Sequence, residues 1–151
     1  MKKLFLVLLL AGVSLAGYRW FDGRGADEAY EGFAESWAQE KREAAARFGD
    51  ADAVRRAFEK TPLRKYPGGA AMEAYRGTRS AVESREAAPE GGVALTATQT
   101  IFFDPPGVTS AIGGAMFARF RHRATVRKTD DGWRVVSFEP AYLEMGELRR
   151  R

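Results

Sequence analysis

The sequence lacks cysteine altogether, and it contains a single histidine, His122. Without cysteine the chain cannot form disulfides, thiolate metal ligands or a cysteine nucleophile. With only one imidazole, a histidine-based metal site is not expected either, and we expect no metal and no cofactor. The fold must therefore be stabilised by its hydrophobic core alone.

The chain also lacks a concentrated excess of one charge. Its formal net charge of +4 falls to +2 when Lys2 and Lys3 are set aside, and the remainder mixes both signs. Nucleic-acid binding is therefore disfavoured, because a groove that follows phosphates needs a dense excess of lysine and arginine. The 45% hydrophobic and 29% charged content is typical of a globular protein. With 151 residues and no visible repeat, we expect one domain.

The first seventeen residues have the organisation of an export segment. Lys2 and Lys3 make a basic start, residues 4–17 are an apolar run, and Ser14 and Ala16 are small residues of the kind a signal peptidase reads. We expect residues 1–17 to be a signal peptide or membrane anchor, followed by a linker over residues 18–25. The run is shorter than the ~20 residues that span a bilayer, so it fits both a signal peptide that is cleaved and an anchor that is retained.

This segment also predicts the location of the protein. We expect the domain to be periplasmic or otherwise extracytoplasmic, because the basic start stays inside. If it is not cleaved, the segment over residues 4–17 anchors the chain in the inner membrane.

Helical periodicity dominates the chain after the linker. Apolar residues recur at spacings of three and four from Ala29 to Phe48, with charged residues mostly opposite. The pattern predicts one amphipathic helix that Gly49 ends, then a shorter helix that Asp50 caps and Pro62 stops. One or two helical turns are predicted over residues 70–76.

A long hairpin organises the second half of the chain. From Met116 to Arg127, apolar residues and His122 alternate with residues that are mostly arginine, as in a half-buried strand. Residues 128–132 predict the turn, since Asp131-Gly132 tolerates positive φ, and residues 133–138 predict the returning strand.

The remaining segments complete the predicted architecture. Strands are predicted over residues 78–87 and 93–103, and a long connection over residues 104–114, where prolines and glycines cannot continue a sheet. Together the elements predict an α+β fold, with N-terminal helices packed on a curved four-stranded antiparallel sheet. The domain is expected over residues 26–140, and residues 141–151 as a short turn or helix and a basic tail.

Two short stretches resemble a known superfamily. Residues 46–54, ARFGDADAV, are similar to the junction between the first helices of the nuclear-transport-factor-two-like cone, also called SnoaL-like or cystatin-like. Residues 127–136, RKTDDGWRVV, are similar to its last hairpin. The resemblance implies a conical pocket between helices and sheet. It does not decide function, because this cone hosts isomerases, dehydratases, ligand binders, secretion-machinery subunits and dimerisation modules.

His122 is one of several candidate pocket residues. The ligand-pocket candidates are Tyr30, Phe33, Trp37, Phe103, Met116, Phe120, His122 and Trp133. Aromatic residues at helical spacing are equally typical of a core, so both interpretations stay open. His122 is the candidate catalytic base or hydrogen-bond donor, and the alternative is a buried histidine bonded to a neighbour. The carboxylate candidates are Glu83, Glu86, Asp104 and Glu139, but no stretch matches the catalytic pattern of the isomerases.

Four arginines lie on the polar face of the hairpin: Arg119, Arg121, Arg123 and Arg127. They suit docking to an acidic partner or to anionic lipid headgroups. The alternative is a solvated sheet face with exposed ion pairs, for example to Glu83 or Glu86.

Two functions remain open on these patterns. The leading interpretation is a non-catalytic ligand-binding or protein-interaction module of the bacterial envelope, exported and tethered to the membrane. Its expected partners are a second copy or another envelope protein, and a small apolar ligand. The alternative is a small cofactor-free enzyme of the SnoaL or ketosteroid-isomerase type that acts on an apolar small molecule. A second ionisable group facing His122 in a solvent-reached cavity favours the enzyme, and a filled interior favours the module.

Overall fold

The computed structural model describes residues 23–67, 69, 74–104 and 115–148. The expected export segment, most of residues 70–76, most of the connection over residues 104–114 and the terminal arginines lie outside these described residues. Within them, no helix is both long enough and apolar enough to cross a membrane.

One antiparallel sheet accounts for most of the second half of the chain. Its strands are β1 (Tyr75–Ala88), β2 (Gly92–Phe103), β3 (Met116–Thr129) and β4 (Gly132–Glu147). They lie side by side in the order β1-β2-β3-β4, so each strand pairs with the next along the chain. All four predicted strands are present.

β4 is longer than the sequence pattern predicts. The expected turn or helix after residue 140 is wrong, because the strand continues to Glu147 and pairs there with Met116. Pro140 does not end the strand, although it lies opposite His122. β4 is an edge strand, and an edge strand tolerates proline because the missing N–H can face away from the sheet.

The two faces of the sheet alternate as the hairpin pattern predicts. On β3 the buried residues are Ala118, Phe120, His122, Ala124 and Val126, and on β2, after Gly92 at its start, they are Leu95, Ala97, Gln99, Ile101 and Phe103. The residues between them point to the opposite face, which we call the outer face. The inner face therefore supplies one wall of the core.

The predicted first helix is two helices. α1 covers residues 23–38, three of which were expected in the linker, and α2 spans Arg42–Ala45. Between them Glu40 has a φ of 54°. The Lys41 N–H donates to the Ser36 carbonyl at 2.9 Å and the Glu40 N–H to the Trp37 carbonyl at 3.0 Å, which is the bond pair of a Schellman motif. Residues 39–43, QEKRE, are all polar, so the apolar spacing of three and four is interrupted at this break.

The junction before the next helix anchors the helices to the sheet. Asp50 caps α3 (Ala51–Arg55) as predicted, because its Oδ1 accepts from the Ala53 N–H at 2.7 Å. The Asp50 N–H donates to the Val135 carbonyl at 3.0 Å. The expected helix end at Gly49 is wrong, because α2 ends at Ala45 and Gly49 forms a bridge with Val135. A Cβ on Gly49 would lie 2.4 Å from the Phe33 ring.

The core lies between these helices and the inner face. From α1 it includes Tyr30, Phe33 and Trp37, all fully buried. The predicted fold class is confirmed: helices pack on a curved four-stranded antiparallel sheet in an α+β arrangement.

Candidate functional site

An aromatic shell surrounds His122 in the core. Tyr30, Phe33 and Trp37 lie three to four residues apart on α1 and so share one helix face. The His122 ring is 5.5 Å from Trp37 and 4.6 Å from Phe138 of β4, measured between ring centroids. The imidazole is therefore held by packing from both the helix and the sheet.

Tyr30 is the hydrogen-bonding partner of His122. Its hydroxyl lies 2.8 Å from the Nδ1 atom of the imidazole, across 92 residues of sequence. Burial raises the pKa of Tyr30, against a smaller lowering by the Ser80 hydroxyl. Burial also lowers the pKa of His122 to about 3. Both side chains are therefore neutral at physiological pH.

Three polar atoms beside this pair lack a partner. Gln99 and His122 are both fully buried. In the described part of the chain, the Oε1 and Nε2 atoms of Gln99 and the Nε2 atom of His122 make no hydrogen bond. Buried side-chain polar atoms are normally hydrogen-bonded, so each exception needs an explanation.

The strand register brings these groups together. Gln99 lies opposite Ser80 on β1 and opposite Phe120 on β3, and His122 lies opposite Ala97. Gln99 and His122 are thus diagonal neighbours on one face, about 7–8 Å apart by general sheet geometry. Tyr30, Ser80, Gln99 and His122 form one polar cluster within the aromatic shell, and we call it the interior cluster.

The predicted pocket residues divide into two groups. Tyr30, Phe33, Trp37, Phe103, Phe120 and His122 are all buried in the core. Met116 and Trp133 are only partly buried and pack against it. Trp133 lies near the start of α1, where a Cβ on Gly25 would be 2.6 Å from its ring.

Sequence reasoning missed Gln99, Ser80 and Phe138. Gln99 had a usable signal, because it occupies an inward position of β2 between Ala97 and Ile101. A polar side chain at a buried position of an alternating strand is unusual and can indicate a site. Ser80 offered no comparable signal, since its position beside Tyr30 depends on the pairing of β1 with β2.

The carboxylate candidates lie outside the interior cluster. Asp104 forms an ion pair with Arg76 at 2.7 Å. Glu83 is 3.8 Å from Arg121 and also accepts from the Thr98 hydroxyl. Glu86 and Glu139 line a cleft of about 410 Å³ together with Arg123 and strand residues of the outer face. Among the described residues no group of three or more histidine, cysteine or acidic side chains could hold a metal ion.

The outer-face arginines are mostly paired with carboxylates. Arg119 pairs with Glu144, and Arg127 pairs with Glu90 at 2.8 Å. These side chains are exposed enough that each pair contributes only ~0–1 kcal/mol to stability.

Three clefts are lined by described residues without His122 in their lining. One of about 290 Å³ lies beside Gln39, Leu63 and Tyr75, and one of about 450 Å³ lies beside α2. The third is the outer-face cleft described above. Among the described side chains, His122 lies beside a second ionisable group, Tyr30.

Comparison with known proteins bears on the fold. A solved structure of a chain described as "Putative Scytalone Dehydratase", from Novosphingobium aromaticivorans DSM 12444, matches with a TM-score of 0.59 and 13% sequence identity. The match covers 90% of this chain and 93% of that chain. The fold is the nuclear-transport-factor-two-like cone. No protein-family model and no curated protein matches the sequence.

The interior cluster lies inside this cone. α1 contributes Tyr30, and the inner faces of β1, β2 and β3 contribute Ser80, Gln99 and His122. An uncharged polar cluster in an aromatic shell can orient one polar group of an otherwise apolar molecule.

Proposed function

We propose that this protein binds a small, largely apolar molecule inside its cone, as a non-catalytic module. The observation that carries the proposal is the set of unpartnered buried atoms on Gln99 and His122. Leaving such an atom without a partner costs about 1–3 kcal/mol. A bound molecule that supplies the missing hydrogen bonds would remove this cost, and the surrounding rings would hold its apolar part.

The properties of His122 favour binding over catalysis. A general base works best when its pKa is near the operating pH. The pKa of His122 is lowered to about 3, so at pH 7 about one ring in ten thousand would carry a second proton. Such an imidazole is a weak base but a good neutral hydrogen-bonding group.

A cofactor-free enzyme of the SnoaL type is the second candidate function. The Tyr30–His122 hydrogen bond favours it, because this pair could pass a proton between a ligand and the phenol. The cone fold that the protein shares with the Novosphingobium chain is compatible with both candidates.

We further propose that the protein is exported and tethered to the inner membrane by residues 4–17. The basic start and the apolar run support this location. The outer-face arginines would then lie near anionic headgroups or an envelope partner, either a second copy or another protein.

Native mass spectrometry of the full-length protein recovered from membranes tests the binding proposal. We expect the wild type to retain a small molecule, and the same spectrum reports whether residues 1–17 are cleaved. Ala97→Leu should lose the molecule, because Ala97 is fully buried and lies opposite His122. Thr98→Leu is the matched control, because its side chain points to the outer face and should leave retention unchanged.

The outcomes separate the two candidate functions. Circular dichroism first confirms that both variants are folded. A wild type that retains nothing, or a folded Ala97→Leu variant that retains the same molecule, would contradict binding in the interior. If the released molecule is incubated with fresh protein, an unchanged NMR spectrum supports the binding module. New resonances that disappear with Tyr30→Phe support the enzyme.

A further inference from the structure

The amide group of Gln99 presents two complementary hydrogen-bonding atoms side by side. Its Nε2 donates and its Oε1 accepts, and in the described structure neither has a partner. The side chain is fully buried, so bulk water does not satisfy it. A group that matches both atoms must itself carry an acceptor next to a donor.

His122 adds a third hydrogen-bonding position on the same face. The Tyr30 hydroxyl is placed to donate to Nδ1, with the Ser80 hydroxyl as a further partner of the phenol. In that arrangement the proton of the neutral ring is on Nε2, the unpartnered atom. The interior cluster then offers donors from both Gln99 and His122 and one acceptor from Gln99.

The charges around the cluster disfavour an anion. The carboxylates of Glu31 and Glu83 contribute to the raised pKa of Tyr30, so their field opposes negative charge at this point. Arg85, the cation that lies near Glu31, already pairs with Asp27. Among the described residues no lysine or arginine is buried in the core. A buried anion without a countercharge is costly.

We propose that the molecule bound in the cone is uncharged and carries a donor and an acceptor side by side, as in a primary amide or a lactam. Gln99 is the residue that determines this specificity, through a two-bond pairing with the amide, and His122 donates to the same carbonyl. This inference rests on the proposed binding function above.

Isothermal titration with three matched probes tests the inference on the full-length protein. Benzamide offers both a donor and an acceptor, acetophenone offers only the acceptor, and benzoate is the anion. We expect benzamide to bind at least tenfold more tightly than acetophenone, and benzoate to bind most weakly. A tenfold difference corresponds to one net hydrogen bond.

Gln99→Leu isolates the contribution of the amide. This variant keeps nearly the same shape, and it should weaken benzamide binding at least tenfold more than acetophenone binding, because benzamide loses two hydrogen bonds to Gln99 and acetophenone loses one. Thr98→Leu, on the outer face of the same strand, should change neither. ¹H–¹⁵N NMR spectra of each variant confirm that the fold is intact.

The outcomes distinguish this inference from the proposed function. Equal affinities for benzamide and acetophenone, or an undiminished benzamide affinity in Gln99→Leu, would overturn the amide specificity and leave interior binding standing. Tightest binding of benzoate would also overturn it. If none of the three probes binds, both the specificity and the binding site are contradicted.

Discussion

The single histidine predicts a specific dependence of folding stability on pH. His122 is fully buried, and burial lowers its pKa to about 3 from the usual 6.5. As pH falls, the unfolded chain therefore takes up the proton first. The contribution of His122 to stability is fully present above about pH 6.5 and is lost as pH falls toward 3.

The magnitude follows from the difference between the folded and unfolded pKa of His122. A pKa difference of one corresponds to about 1.36 kcal/mol, so the titration of His122 lowers the free energy of unfolding by about 5 kcal/mol between about pH 6.5 and 3. About 3 kcal/mol of this is lost by pH 4.5. His122→Phe removes this titration and retains an aromatic ring among Trp37, Phe120 and Phe138. The Tyr30 hydroxyl loses its Nδ1 acceptor and the unpartnered Nε2 atom is removed as well, so the informative quantity is the pH dependence of stability, which should be shallower.

Urea unfolding at pH 7.5, 6.0 and 4.5 measures the difference. We expect the wild type to lose about 3 kcal/mol more than His122→Phe between the highest and lowest pH. The chain has only one histidine, so its ring resonances in NMR are unambiguous and should not titrate above pH 4.5. Parallel pH profiles for the two proteins, or an NMR midpoint near 6.5, would refute the reasoning.

Three further predictions concern the junction, a helix cap and the outer face. Gly49→Ala should lower the free energy of unfolding by about 1–3 kcal/mol because the added Cβ would clash with Phe33. Gly77→Ala is the control and should be nearly neutral, because a Cβ there has nothing within 4 Å. Equal urea midpoints for the two variants would disprove the clash. Asp50→Ala should cost about 1 kcal/mol in the same assay by removing the cap of α3, and an unchanged midpoint would argue that the cap is not needed. If the outer face docks to lipid, Arg121→Ser combined with Arg123→Ser should lower the ratio of binding to anionic over neutral vesicles at least tenfold, at about 1 kcal/mol per arginine. An unchanged ratio would instead identify a solvated face.

Local patterns were sufficient to predict most of the secondary structure. The alternation along β3 correctly separated His122 from the arginines beside it, because a strand side chain can point to only two faces. Asp50 was predicted as a cap because its effect acts within one helical turn. The α+β class followed from the change of period, since helical and strand repeats bury different sets of residues.

Features that depend on a distant partner could not be predicted in this way. β4 continues through Pro140 because β3 offers pairing positions as far as Met116 and because β4 lies at the sheet edge. The break at Glu40 lies within five consecutive polar residues, 39–43, and such a run fits both the exposed side of a continuous helix and a helix end. The backbone hydrogen bonds decide between them.

Local residue patterns predicted one part of the candidate site, and the other part depends on contacts between distant segments. The residue pattern was enough to place Tyr30 and His122 on inward faces of their elements, because side-chain direction is a local property of helices and strands. The folded arrangement was needed to bring the Tyr30 hydroxyl within 2.8 Å of His122 and to place Gln99 beside them without a hydrogen-bonding partner. Contacts across 92 residues depend on how the helix docks and on the register of the sheet, and neither is encoded in any single stretch of the chain.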